Sequence, residues 1–101
     1  MGVSSELSED GNQLIISIEG RFDFSFHQDF RSAYENDAIS PSNYVVDLSE
    51  TTYLDSSALG MLLLLRDFAG GDRSYIQIMN ANADVKKILA ISNFEQLFDI
   101  H

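Results

Sequence analysis

Cysteine is absent from the 101 residues, which excludes disulfides, thiol nucleophiles and thiolate metal sites together. Proline occurs once, and with 45% apolar and 22% charged residues the composition is that of a globular chain, neither fibrous nor disordered. Cations are scarce: six Lys and Arg stand against sixteen Asp and Glu, a formal charge of −10. Nucleic-acid binding draws its affinity from cationic contacts to phosphates, so that balance excludes a nucleic-acid partner and suits basic or neutral protein surfaces. Long apolar runs are missing too. The longest, residues 61–65, is five residues, far short of a bilayer span. The start Met1-Gly2-Val3-Ser4-Ser5-Glu6 lacks the basic end and apolar core of a secretory signal, and Glu6 stands where N-myristoylation needs Ser or Thr. A cytoplasmic protein that makes no use of a membrane is expected. The length suits one domain, 1–101, with one core.

The chain, taken in order, alternates strand and helix signals. Residues 3–8 and the β-branched run 13–19 flank the turn residues 9–12 and predict an N-terminal hairpin. Gly20 closes the second strand and 21–25 reads as a loop. Phe26, Phe30, Ala33 and Tyr34 then recur at helical spacing and predict a helix over 26–37, capped by Ser25 or Asp23. Pro41 ends it. Residues 44–48, apolar except for Asp47, predict a strand covered on both faces within a largely parallel sheet. Further on, 75–79 predicts a strand and 83–91 a helix with Val85, Ile88 and Leu89 inward and Lys86 and Lys87 in water. The tail predicts a helical turn and a last short strand, with Leu97, Phe98 and Ile100 packed inward. An α/β fold follows: a mixed sheet, made of an N-terminal hairpin plus largely parallel strands, against three to four helices.

Residues 44–60 organise the rest: a buried strand, a hydroxyl-rich turn, then a helix opened by Asp55, Ser56 and Ser57. Asp47 is expected to order the turn by binding its amides, with Thr51 and Thr52 as solvated turn residues beside the site. The first turns of the helix are apolar nearly all round, through Leu59, Met61, Leu62, Leu63, Leu64, Leu65 and Phe68. Such a helix is either wedged between sheet and neighbouring helices, the simpler reading, or offers a greasy face to a partner. Gly60 inside a helix costs about 1 kcal/mol against alanine and suggests that something approaches closely there. A serine at a helix start caps the free amides, which accounts for one serine of the two. An exposed serine at the same place is also a phosphorylation site in waiting. The helix dipole tolerates an added anion, and phosphate brings roughly two negative charges beside Asp55.

Val46-Asp47-Leu48-Ser49 followed by Tyr53-Leu54-Asp55-Ser56-Ser57-Ala58-Leu59-Gly60 resembles the signature of STAS domains, in particular the bacterial anti-sigma factor antagonists. Gly20-Arg21-Phe22-Asp23 resembles their Gly-x-Leu-Asp loop, and the element order matches along essentially the whole chain. The resemblance implies a STAS fold and partner switching. The unphosphorylated protein binds an anti-sigma factor or serine kinase regulator, phosphorylation of the serine after the motif aspartate releases it, and a PP2C-type phosphatase restores binding. That serine is Ser56, with Ser57 structural or capping. Asp23, Phe22, Thr52, Asp55, Ser56, Ser57, Gly60 and Met61 form the expected partner surface. Ala58 departs from the commoner glycine, a change that favours helix.

No catalytic residue, cofactor or metal is expected. His27 and His101 lack the spacing of a metal site. A hydrolase built on Ser56 and Asp55 lacks both a Gly-x-Ser-x-Gly elbow and a histidine placed as general base. The alternative function is a STAS scaffold subunit of a larger assembly, such as a stressosome or lipid-transport complex.

Overall fold

The computed structural model describes residues 2–36 and 38–101. Two strands, β1 (Val3–Leu7) and β2 (Gln13–Phe22), form the expected hairpin. A 3-10 turn (Phe24–Phe26) leads into α1 (His27–Tyr34), followed by β3 (Asn43–Leu54), α2 (Ser56–Phe68), a second 3-10 turn (Gly71–Arg73) and β4 (Ile76–Met79). The chain ends with α3 (Ala83–Ile91), a third 3-10 turn (Phe94–Gln96) and the short β5 (Asp99–Ile100). The five strands lie side by side in sequence order. β1 runs antiparallel to β2, and every later pairing is parallel. The mixed sheet with three α-helices agrees with the sequence-based expectation. The predicted helix over 26–37 is shorter, because its first residue belongs to the 3-10 turn and it ends at Tyr34. Asp37 lies outside the described residues.

The core lies on one face of the sheet. Leu14, Ile16 and Ile18 of β2, Tyr44, Val46 and Leu48 of β3, and Ile76 and Ile78 of β4 are all buried. In-register pairing sets them on the same side. The buried residues of the helices, Phe30 and Tyr34 of α1, Ala58, Met61, Leu62 and Leu65 of α2, and Val85 and Leu89 of α3, join the same cluster. Val45, on the other face of β3, is buried but stays outside that cluster, between its in-register neighbours Ile15 and Gln77. The expectation that β3 is covered on both faces is therefore corrected: its apolar run reflects a central position, not two helical layers. In the tail, Phe98 is buried as expected, but Leu97 is 38% exposed.

The largest departure is the length of β3. Residues 49–54, expected as a turn, continue the strand and pair with the end of β2. Two irregularities allow this. Ser17 pairs with Asp47 but Glu19 with Glu50, and Gly20 pairs with Thr51 but Arg21 with Tyr53, so β3 carries one extra residue at each step. The bulges turn the two-residue alternation into a three-residue one, and Leu48, Thr51 and Leu54 all point inward. Thr51 is thus not a solvated turn residue. It is 3% exposed, and its hydroxyl donates to the Ile18 carbonyl at 2.9 Å. Asp47 does bind a backbone amide, that of Ser49 at 3.0 Å, but inside a strand, where Asn80 Nδ2 also donates to it at 3.2 Å. Burial pushes the Asp47 carboxyl up, but these bonds outweigh it and hold the group below its ordinary pKa.

Candidate functional site

The final pairing of β2 with β3 sets Phe22 beside Leu54, both buried, so the next residue of each strand, Asp23 and Asp55, emerges at the same edge. Each aspartate then opens a helical turn. Asp55 is the N-cap of α2. Its extended backbone lets Oδ1 accept the Ala58 amide at 3.1 Å, as an N-cap carboxylate does with the free donors of a first turn. Asp23 does the same for the short 3-10 turn, accepting from the Ser25 amide at 3.0 Å and the Ser25 hydroxyl at 2.5 Å. The Ser25 hydroxyl and amide hold Asp23 below its ordinary pKa, while the nearby charge of Asp55 opposes them. Asp55 is likewise held low, chiefly by the Ser57 hydroxyl, which donates to its Oδ1 at 2.6 Å. Both carboxylates are therefore ionised at neutral pH.

The two serines differ sharply. Ser57 is half-buried and tied to Asp55. Ser56 is exposed, and its hydroxyl has no hydrogen-bond partner among the described residues. A free hydroxyl on the first residue of a helix, beside an ionised cap, is accessible to modification and unneeded for folding. Neither serine is the N-cap, since Asp55 takes that role.

Of the residues expected at a partner surface, Asp23, Thr52, Asp55, Ser56, Ser57 and Gly60 are exposed or half-buried around this edge and the start of α2. Phe22 and Met61 are not. Phe22 is wholly buried, its ring 5.2 Å from that of Phe30, and Met61 is 4% exposed and faces the sheet. Neither offers a side chain to a partner, because the strand and helix periodicities turn both inward. Two exposed groups escaped sequence reasoning. The Arg21 guanidinium lies 4.4 Å from the centre of the Tyr53 ring and 4.0 Å from the Asp23 carboxylate, and Phe24, 64% exposed, stacks on His27 at 4.8 Å. Two exposed aromatics beside the aspartates were the available signal, and the parallel pairing that unites them was not.

The apolar helix α2 packs on the sheet and, at its C-terminal end, on α1, where the Phe68 ring lies 5.1 Å from that of Tyr34, but part of it stays open. Ala58, Met61, Leu62 and Leu65 are buried, whereas Leu63, Leu64 and Phe68 are 39%, 53% and 47% exposed. The wedged reading thus holds for the inner side, against sheet and α1, while Leu63 and Leu64 also give the helix a greasy outer face. Gly60 lies on that face, and a methyl group there would meet nothing within 4 Å. Among the described residues, no cluster of three or more His, Asp or Glu side chains could hold a metal ion, and no helix is long and apolar enough to cross a membrane.

Comparison with known proteins adds to this geometry. The family model described as "Mlab, STAS domain" matches residues 5–99. The STAS-domain containing protein PA14_20770 of Pseudomonas aeruginosa (strain UCBPP-PA14) is 63% identical over 100 residues, covering 99% of each chain. Among solved structures, the STAS domain of an anti-sigma factor antagonist from Rhodobacter sphaeroides is 28% identical with a TM-score of 0.61, over 78% of this chain and 85% of that one. The anti-sigma factor antagonist SpoIIAA in its unphosphorylated form superposes with a TM-score of 0.71 at 13% identity, over 99% and 87% of the two chains. The Bacillus cell fate determinant SpoIIAA in its phosphorylated form gives 0.66 at 14%, over 99% and 91%.

Proposed function

Because the chain belongs to the STAS-domain family, we propose that it is a bacterial anti-sigma factor antagonist that works by partner switching at Ser56. Unphosphorylated, it binds an anti-sigma factor or serine kinase regulator through the surface around Asp23, Thr52, Asp55, Ser56, Ser57 and Gly60. Phosphorylation of the Ser56 hydroxyl releases it, and a PP2C-type phosphatase removes the phosphate and restores binding. No catalysis is assigned to the chain itself. The observation that carries the reading is the contrast between the free, exposed Ser56 hydroxyl and the Ser57 hydroxyl bound to Asp55 at 2.6 Å.

Phosphate at this position acts by local electrostatics. It adds about −1.5 to −2 charges beside Asp55 and close to Asp23, so a neutral hydroxyl edge becomes strongly anionic without refolding. The positive end of the α2 dipole offsets part of that repulsion within the chain, and so the modified protein stays folded. The likeness to SpoIIAA, an anti-sigma factor antagonist with unphosphorylated and phosphorylated forms, supports the reading. The same reading places the protein in the cytoplasm, and the charge of −10 sets nucleic acid aside as a partner.

The test uses Ser56→Ala and Ser56→Asp proteins as baits in the native cell. We expect a regulator captured by Ser56→Ala and absent from Ser56→Asp, with phosphopeptide mapping placing phosphate on Ser56. Equal capture by both baits removes the switch and favours the second reading, a scaffold subunit of a larger assembly such as a stressosome or lipid-transport complex. That reading draws on the exposed leucine face of α2 and on the match to the Mlab family model.

A further inference from the structure

The outer face of α2 carries a feature that the fold does not use. Ser56, Gly60, Leu63, Leu64 and Asp67 recur at three- and four-residue intervals and are all exposed, on the side away from Ala58, Met61, Leu62 and Leu65. Glycine at the second of these positions weakens the helix. Its backbone is helical, and a methyl group there would meet nothing within 4 Å, so neither turn geometry nor packing within the chain accounts for it. The missing side chain leaves a notch of bare backbone between Ser56 and two leucines that are 39% and 53% exposed.

We propose that an α-helix of the partner protein crosses α2 at Gly60, seating its apolar side on Leu63 and Leu64 and presenting Lys or Arg toward Asp67. The proposal rests on the partner-switching reading and specifies what docks at that surface. A helix is the occupant because the side chains at a helix crossing set the axial distance, and glycine allows the closest approach. A strand added to a sheet edge gains nothing from a notch on a helix. Basic residues follow from charge. The stripe bears no cation, the chain carries −10 overall, and neighbouring Arg66 is held by Asp72 at 2.9 Å. A second copy of this chain brings the same excess of negative charge and is the poorer fit. Ser56 stands one turn from the notch, so a phosphate there blocks a helix lying low over the backbone, whereas Asp67 lies about 16 Å further along the axis. Release by phosphorylation is thereby compatible with a basic partner.

The test places photo-crosslinking benzoylphenylalanine at Leu64 in the full chain, in the native cell, with Lys86 of α3 as the control position. We expect the Leu64 adduct to join a peptide of another protein in which apolar residues recur at helical spacing beside Lys or Arg, with no such adduct from Lys86. Gly60→Ala in the same background should raise Tm by about 4 to 8 °C and lower the adduct yield at least about tenfold. Since the variant folds more stably, the loss cannot be misfolding. Undiminished yield in Gly60→Ala, an adduct without helical periodicity, an adduct with a second copy of this chain, or no adduct at all overturns the proposal. Ser56→Asp separates the two readings. If it leaves the adduct intact while Gly60→Ala abolishes it, the docking stands and the switch falls; the opposite result keeps the switch and removes the docking.

Discussion

The Ser57 hydroxyl donates to Asp55 Oδ1 at 2.6 Å, while Ser56, between them in sequence, leaves its hydroxyl free. One carboxylate thus holds one serine and the Ala58 amide, and releases its immediate neighbour to solvent. The division of labour predicts an order of effects. Asp55→Ala loses the N-cap of α2 and should cost about 1 kcal/mol. Ser57→Ala should cost less and keep partner binding, and Ser56→Ala should stay within about 0.5 kcal/mol of the parent. Urea unfolding of the three variants reads the order directly, and a destabilised Ser56→Ala contradicts it.

The same bonds set a pH dependence. The Ser57 hydroxyl, helped by the backbone amides, favours the Asp55 carboxylate and lowers its pKa below the ordinary 3.8 in the folded protein. A depressed folded value means that the stabilisation is complete above the unfolded value and is lost as pH falls through the folded one. The stability difference between the parent and Asp55→Asn should therefore be constant from pH 7 down to about 5 and shrink below pH 4. Urea midpoints across that range check the sign, and a difference that grows on acidification contradicts it.

Thr51 reports on the bulged strand. Thr51→Val keeps the shape and branching but removes the 2.9 Å bond to the Ile18 carbonyl inside the core. The expected loss is about 1 to 2 kcal/mol, although the new side chain is more apolar. Were Thr51 on a solvated turn, the same substitution would leave stability unchanged, so equilibrium unfolding distinguishes the two placements.

The unequal cover of α2 gives a paired prediction. Leu62, fully buried, should cost about 2 to 5 kcal/mol on conversion to alanine. Leu64, 53% exposed, should cost no more than about 0.5 kcal/mol by the same change. Similar losses from both would mean that the outer face is covered within the chain.

Several elements were legible in the residues because they depend on local pattern. The bounds of α3, 83–91, follow from its apolar spacing and its Asn82 cap, which accepts the Val85 amide at 2.8 Å. The hairpin follows from turn residues between β-branched runs. The end of β3 was not legible, for a physical reason. Residues 49–53, Ser-Glu-Thr-Thr-Tyr, carry the polar composition of a turn, and the two bulges that keep them in the sheet erase the alternation by which a strand is recognised. The helix pattern was read correctly as apolar all round, but not which side the sheet takes, because seven apolar side chains fit either orientation until the partner face is known.

The residues alone determined the strand–helix alternation, the acidic surface and the Asp55-Ser56-Ser57 opening of α2, since these rest on composition and short-range spacing. Only the tertiary structure decided that Asp23 meets Asp55, because 32 positions of chain are closed by the pairing of Phe22 with Leu54. It also decided that Ser56 faces water, because burial of Ala58 and Met61 in the core fixes which side of α2 is outward; the bond from the Ser57 hydroxyl to Asp55 is local to the helix cap.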